Sequence, residues 1–320
     1  MTIQPYGETS GPPAPATLTA QDQRRIQDAL DSSTSANTRR AYNQAWLRFE
    51  AWARERGASH PLPASPELVA AFLAELAEAG KSVATLRLAK SALAEVHRST
   101  GNQDPTDNEG VRKVMAGIAR VNGRPQRQAK PLTETALAAV KATAMQPRRH
   151  QGRAVRAENA WAARRRGQVD VALLSVLRDG LLRRSEASEL RWGDVEVQED
   201  GSARLHVRRS KTYPEAAAAL VAIMPEGFAV VDPSTPVFGL SASQIGRRVN
   251  AAAKAAGLGE GFTGHSGRVG MAQDLAAAGV ELPALMTAGR WKSSKMPARY
   301  TEGQAAGRGA VARYYQERRG

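Results

Sequence analysis

Cysteine is absent from all 320 residues, which removes disulfides, thiolate metal sites and cysteine nucleophiles from consideration. The five histidines stand at 60, 97, 150, 206 and 265, too scattered for a histidine metal centre. There is no glycine-rich phosphate loop and no acidic triad spaced for two-metal cleavage. Aromatics make up only 5% of the chain, so its cores must be built mostly from Ala, Leu and Val. No stretch approaches the roughly 18 apolar residues of a membrane helix, and the first residues lack a basic start followed by an apolar run. The expectation is a soluble, internal, cytoplasmic protein with no membrane partner.

Acidic residues are also in short supply. Against 45 Lys and Arg stand 31 Asp and Glu, a net charge of +14. Such an excess repels itself in a compact body unless a polyanion neutralises it, so nucleic acid leads the expected partners. The length suffices for two domains with cores of their own.

Residues 1–20 hold Pro, Thr, Gly and Ser without periodicity and read as a disordered tail. From 21 to 120 the pattern is helical. "SANTRRAYNQAWLRFEAWARERG" sets Tyr42, Trp46, Phe49 and Ala53 on one stripe and stops at Gly57, a spacing that marks a buried face rather than a base-stacking platform. Ser65 followed by Pro66, and then Ser82, mark two further helix starts. A fourth helix carries Val111, Val114, Met115 and Ile118. Outward on the first of these helices, Arg39, Arg40 and Arg48 suit phosphates.

"VNGRPQRQAK", within 121–131, is basic and broken by Gly123 and Pro125, as a linker is; Arg124, Arg127 and Lys130 suit a strap across a phosphate backbone. The second domain, 132–302, opens with Thr133 as a cap. Residues 147–167 form an expected basic loop, in which Arg148, Arg149, Arg164 and Arg165 are candidate DNA contacts. A buried apolar helix follows. The period then changes: Val195 and Val197, a turn at 199–201, then Leu205 and Val207 give a β-hairpin, with Arg208 and Arg209 at its end as further DNA candidates. The fold class is mainly α, a helical bundle followed by a mixed α+β domain with one small antiparallel sheet.

Chemistry-bearing residues are spread over the second domain. Arg183 and Glu186 sit three apart around a helix start, where a carboxylate can hold a guanidinium and aim it outward. Lys211 lies at the far end of the hairpin's second strand. His265 and Arg268 are three apart near another helix start, so both can lie on one face. Trp291 and Tyr300 follow, nine apart.

In this order, Arg183-x-x-Glu186, Lys211, His265-x-x-Arg268, Trp291 and Tyr300 resemble the active-site set of the tyrosine recombinases, also called the phage integrase family. The likeness extends over nearly the whole chain from about residue 21. It implies a SAM-like core-binding domain at 21–120 and a catalytic domain at 132–302, closing on DNA as a C-shaped clamp. It implies cleavage and rejoining of double-stranded DNA through a 3′-phosphotyrosine, with no metal or nucleotide cofactor. It also implies assembly on DNA, a dimer per site and a tetramer in synapse, through a C-terminal helix at 303–320.

The implied roles make chemical sense. A phenol with a pKa near 10 is only about 0.1% phenolate at neutral pH, and a phosphodiester repels it. Arg183 and Arg268 would clamp the phosphate's non-bridging oxygens, and His265 would deprotonate Tyr300 or hydrogen-bond the phosphate. Trp291 would pack beneath the phosphate, Lys211 would protonate the leaving 5′ oxygen, and Glu186 would brace the set. Tyr314 and Tyr315 compete as nucleophiles, but their spacing from Trp291 does not fit. A type IB topoisomerase-like nicking enzyme and a non-catalytic DNA-binding protein on the same fold remain the alternatives at this point.

Overall fold

The computed structural model describes residues 19–123, 128–148, 158–197, 203–207, 210–212 and 232–307. The chain divides into two compact units, Met1–Gln126 and Arg127–Gly320.

In the first unit, helices begin where short polar side chains can satisfy otherwise unpaired N–H groups. They are α1 (Ala20–Ser33), α2 (Ala36–Glu55), α3 (Pro66–Glu78), α4 (Val83–Ser99) and α5 (Glu109–Asn122), capped by Thr19, Ser35, Ser65, Ser82 and Asn108. Thr19 closes a capping box with Asp22. The helix therefore starts inside the stretch expected to be a tail, whose residues 1–18 lie outside the described residues.

Helix α2 packs on α4, and α3 on α5. The aromatic stripe is core: Phe49 is fully buried, Trp52 nearly so, and Phe49 meets Phe72 edge-on at 5.3 Å between ring centres. Tyr42 and Trp46 pack against this cluster from its margin. His97 is buried within it. Its Nε2 accepts the Ala64 N–H at 2.9 Å, which requires the ring proton on Nδ1, the nitrogen that faces the Leu93 carbonyl at 2.7 Å.

In the second unit come α6 (Glu134–Thr143), α7 (Ala160–Asp179) and α8 (Arg184–Glu189), then a 3₁₀ turn (Trp192–Asp194). Three strands follow: β1 (Val195–Val197), β2 (Ala203–Val207) and β3 (Ser210–Thr212). The chain then forms α9 (Ala242–Ala255), α10 (Ser266–Ala277), α11 (Leu282–Gly289) and α12 (Lys295–Gly307). The strands form an antiparallel sheet in the order β1-β2-β3, with Val195 opposite Leu205 and His206 opposite Lys211. Lys211 is thus on a third strand, not at the end of the second as its sequence suggested. The expected turn at 199–201 lies outside the described residues, as do Arg208 and Arg209.

Leu132, Leu173, Leu174, Leu177, Leu182, Leu205, Ile245 and Val249 form the core of this unit. Helix α10 lies hard against it. A Cβ on Gly270 would stand 2.0 Å from the Leu132 carbonyl oxygen, and one on Gly267 would stand 2.7 Å from the Leu177 backbone. Only glycine permits backbones so close.

Two expectations change here. Helix α5 runs through Asn122, and Lys130 already belongs to the second unit, its N–H donating to Gly261 O at 3.0 Å and its ammonium reaching Leu258 O at 3.3 Å. Residues 147–167 are not a single loop. Asn159 caps α7 by accepting the Ala162 N–H at 2.7 Å, so Arg164 and Arg165 stand on exposed helix. Ala and Arg are strong helix formers, so the basic run from 160 is helical.

Candidate active site

Three chain segments build the site. The first is the turn from Gly180 into α8. Leu181 takes a left-handed φ of 47° and turns the chain so that Arg183 becomes the N-cap of α8 and Glu186 its third residue. The Glu186 carboxylate reaches back to this cap. It accepts the Arg183 N–H at 2.8 Å on Oε2 and Arg183 Nη1 at 2.6 Å on Oε1. Arg183 keeps nearly half of its side chain exposed.

The second segment is the start of α10. Thr263 N–H donates to Ser266 Oγ at 2.8 Å and His265 N–H to Thr263 Oγ1 at 3.2 Å, so a compact turn sets His265 at the N-cap, open to solvent on one side while its imidazole loses part of its hydration. One turn on, Arg268 is 3% exposed. Its two terminal nitrogens donate to the carbonyls of Leu181 and Gly289. A guanidinium carries five N–H groups, so three remain for another acceptor.

The third segment runs from α11 into α12. The Trp291 ring lies under Arg268, whose central carbon is 4.3 Å from the ring centre. The same ring meets Tyr300 edge-on, 5.9 Å between centres at 64°. Tyr300 sits in the second turn of α12, half-buried, and its carbonyl accepts Gln273 Nε2 from α10 at 3.0 Å. The helix α12 continues to Gly307, across the expected boundary at 302/303, and residues 308–320, with Tyr314 and Tyr315, lie outside the described residues.

The structure thus brings Arg183, Glu186, His265, Arg268, Trp291 and Tyr300 into one neighbourhood. Lys211 is placed only by its backbone on β3, opposite His206.

The site is electrostatically tense. Burial, and then the charges of Arg183 and Arg290, push the Arg268 guanidinium down to about 10, against the opposing pull of Glu186 and Tyr300. Loss of water around the imidazole, followed by the cations Arg184, Arg268 and Arg183, holds His265 below its ordinary 6.5. Burial alone would raise the Glu186 carboxyl, but the hydrogen bonds from Arg183 and the charge of Arg290 outweigh it and keep Glu186 below its usual range. The chemistry such a cluster favours is anion binding, with an imidazole whose neutral form is favoured and a tyrosine close at hand.

Sequence reasoning missed two arginines here. Arg290 pairs with Glu186 at 3.0 Å, and exposed Arg184 stands beside His265 with its side chain against Gly264. Each is adjacent in sequence to a residue already singled out, which was the signal available.

Of the candidate DNA contacts, Arg39, Arg40, Arg48, Arg164, Arg165 and Lys130 are exposed. Arg124, Arg127 and Arg149 lie outside the described residues. Arg148 points inward, a correction to its reading as a surface contact. Its Nη1 pairs with the fully buried Asp170 at 3.1 Å, beside Arg166 at 3.3 Å and Arg248 Nε at 2.8 Å. A buried carboxylate needs such partners, and this demand claims the arginine.

A helical bundle, followed by a helical unit with a small sheet and a cationic site facing a tyrosine, defines the tyrosine recombinase class. The chain belongs to the phage integrase family: residues 157–306 match the model of that family, and residues 29–100 match its N-terminal SAM-like domain. It is similar to the Cre recombinase of Escherichia phage P1, 26% identical over 293 residues, which are 80% of this chain and 81% of that protein. Among solved structures, it shares its fold with XerH recombinase bound to palindromic difH substrate, with a TM-score of 0.60 at 14% identity over 87% of this chain and 79% of that one. It shares it also with a lambda integrase dimer bound to a COC′ core site, with a TM-score of 0.55 at 17% identity over 87% of this chain and 93% of that one. Among the described residues, no helix is long and apolar enough to cross a membrane.

Proposed function

We propose that this protein is a site-specific DNA recombinase that cuts and rejoins double-stranded DNA through Tyr300. The phenol oxygen attacks a phosphodiester phosphorus and forms a 3′-phosphotyrosine. The P–O5′ bond breaks, and the departing 5′ oxygen takes a proton from Lys211. A 5′ hydroxyl from a second duplex then attacks the phosphotyrosine, restores the phosphodiester and releases Tyr300. One ester bond is made for each broken, so no energy source is consumed.

Arg183 and the three unspent N–H groups of Arg268 hold the non-bridging oxygens, whose charge grows as phosphorus becomes five-coordinate. His265, neutral near pH 7, accepts the Tyr300 proton or donates to the phosphate. Trp291 carries Arg268 and flanks Tyr300, and Glu186 braces Arg183. In this reading, two copies occupy each DNA site and four assemble in synapse, exchanging strands through a Holliday junction. Residues 303–320 reach a neighbouring protomer. Such a protein acts in the cell interior, on the nucleoid.

The observation that carries the proposal is the meeting of Arg183, His265, Arg268 and Trp291 beside Tyr300, drawn from three distant segments. Fold alone does not imply function, whereas a pure binder has no use for a phenol set among guanidiniums. The test uses a nicked duplex built from the sequence that the protein selects out of random DNA. Wild type is expected to form a covalent adduct, and Tyr300→Phe to bind without one. An adduct with the Phe variant would refute the assignment of Tyr300. Excision between two copies of the selected site separates recombination from simple nicking and closing.

A further inference from the structure

Arg290 is the residue before Trp291, yet its side chain turns away from solvent, with 13% of it exposed. Its backbone is left-handed, φ 55° and ψ 43°, at the C-cap of α11. A non-glycine residue holds that conformation only when its surroundings demand it. Here the helix end sets the backbone, Arg290 N–H donating to Thr287 O at 3.1 Å and Trp291 N–H to Met286 O at 2.9 Å, and the side chain finds distant partners. The guanidinium lies within hydrogen-bonding distance of the carbonyls of Gly180, at 3.4 Å, and Leu181, at 3.2 Å, and donates to Glu186 Oε2 at 3.0 Å.

These partners make Glu186 a shared hinge. On one side its carboxylate holds Arg183 by backbone and side chain; on the other it holds Arg290. The Leu181 carbonyl is likewise shared, between Arg290 and Arg268. Arg290 is covalently continuous with Trp291, which supports Arg268 and abuts Tyr300. Arg290 is therefore, beside Arg268, a side chain that ties the Tyr300 segment to the turn bearing Arg183, and the one that does so through Glu186. With its fork directed at carbonyls and a carboxylate, Arg290 is poorly placed to touch a phosphate itself.

We infer that Arg290 is a positioning residue, acting through Glu186 to set the Trp291–Tyr300 segment against Arg183 in the geometry needed for cleavage. The inference rests on the recombinase reading above.

Arg290→Gly is the informative variant, because glycine adopts the left-handed turn without strain, so that the loss reports the side chain and not the backbone. On the nicked duplex described above, Arg290→Gly is expected to slow single-turnover adduct formation about 30-fold, while the reacting fraction of enzyme and the duplex affinity stay within about twofold. Glu186→Gln is expected to slow it about tenfold. The double variant is expected to lose less than the product of the two single losses, since the two share the Arg290–Glu186 link while Glu186 separately braces Arg183. Arg290→Lys keeps the charge but cannot serve three acceptors in a fixed fork, and should recover only a minor part of the rate.

A wild-type rate in Arg290→Gly or Arg290→Lys overturns the inference, as do additive effects in the double variant. A loss of reacting fraction at unchanged rate would make the residue merely structural and overturn it too. If wild type forms no adduct, the recombinase reading falls and this inference with it; if wild type reacts and Arg290→Gly matches it, only the inference falls.

Discussion

Arg268 rests on Trp291, its guanidinium carbon 4.3 Å from the centre of the indole ring. A desolvated cation over an aromatic face gains about 2 kcal/mol, and here the ring also fixes the buried guanidinium that holds the phosphate in the proposed reaction. Trp291→Ala should lower the single-turnover rate of DNA cleavage by about 30-fold while duplex affinity changes little. Trp291→Phe keeps a ring but loses the indole N–H. A Phe variant close to wild type assigns the effect to stacking, and one close to Ala assigns it to the N–H. Quench-flow analysis of adduct formation reads both.

Gly289 enforces the same stack from below. A Cβ there would stand 1.9 Å from the Trp291 ring, so Gly289→Ala must expel the ring from beneath Arg268. The expected outcome is a loss of cleavage comparable to Trp291→Ala, with near-wild-type DNA binding in a gel-shift titration. Unaltered cleavage would show that the ring's place is not required.

The pH dependence follows from His265. Its imidazole is held below 6.5 by lost hydration and by Arg184, Arg268 and Arg183, so the folded protein disfavours the imidazolium. The ring adds no pH dependence to stability above 6.5 and costs stability as the pH falls below that value toward the folded pKa. The acid limb of the cleavage rate should therefore lie below 6.5. Glu186 acts lower still: with its carboxyl held under the ordinary 4.5, its stabilising effect is present above 4.5 and lost as the pH falls through the folded value. Arg184→Gln removes the largest of the named charges on His265 and should move the acid limb upward. An unmoved limb would show that another group governs it.

Much of this was readable from the residues alone, for identifiable reasons. Ser65, Ser82 and Thr133 cap helices as the spacing indicated, because capping is local and depends only on a side chain and the N–H three residues on. The 42–53 stripe was legible as core because its period matches a helix. Arg183 with Glu186, and His265 with Arg268, were legible because three residues make one turn. What remained hidden depended on distant partners. Arg290 meets Glu186 across 104 residues, and no local pattern announces that. Arg148 looks like any arginine in a basic run until the buried Asp170 appears beside it. The third strand escaped because its three residues carry no alternation.

His97 offers a test of the first unit. Its Nε2 satisfies the buried Ala64 N–H, and His97→Ala leaves that donor without a partner as well as a cavity. The expected loss is about 2–4 kcal/mol in chemical denaturation. His97→Gln, which keeps an acceptor, should lose less. Equal losses would assign the effect to packing.

Salt dependence separates charges that meet DNA from structural ones. Each phosphate neutralised adds about 0.9 to the slope of log affinity against log salt. Arg164 and Arg165 are exposed on α7, so Arg164→Gln and Arg165→Gln should each flatten that slope by roughly one phosphate's contribution and leave thermal stability unchanged. Arg148 predicts the reverse. Asp170 is fully buried and shared among Arg148, Arg166 and Arg248, and removing one partner leaves a carboxylate short of compensation at a cost of about 3 kcal/mol. Arg148→Gln should therefore lower the melting temperature while leaving the salt slope of the folded protein intact. A flattened slope with unchanged melting would place Arg148 on the DNA instead, and would mean that the carboxylate at 170 is satisfied by its other two arginines.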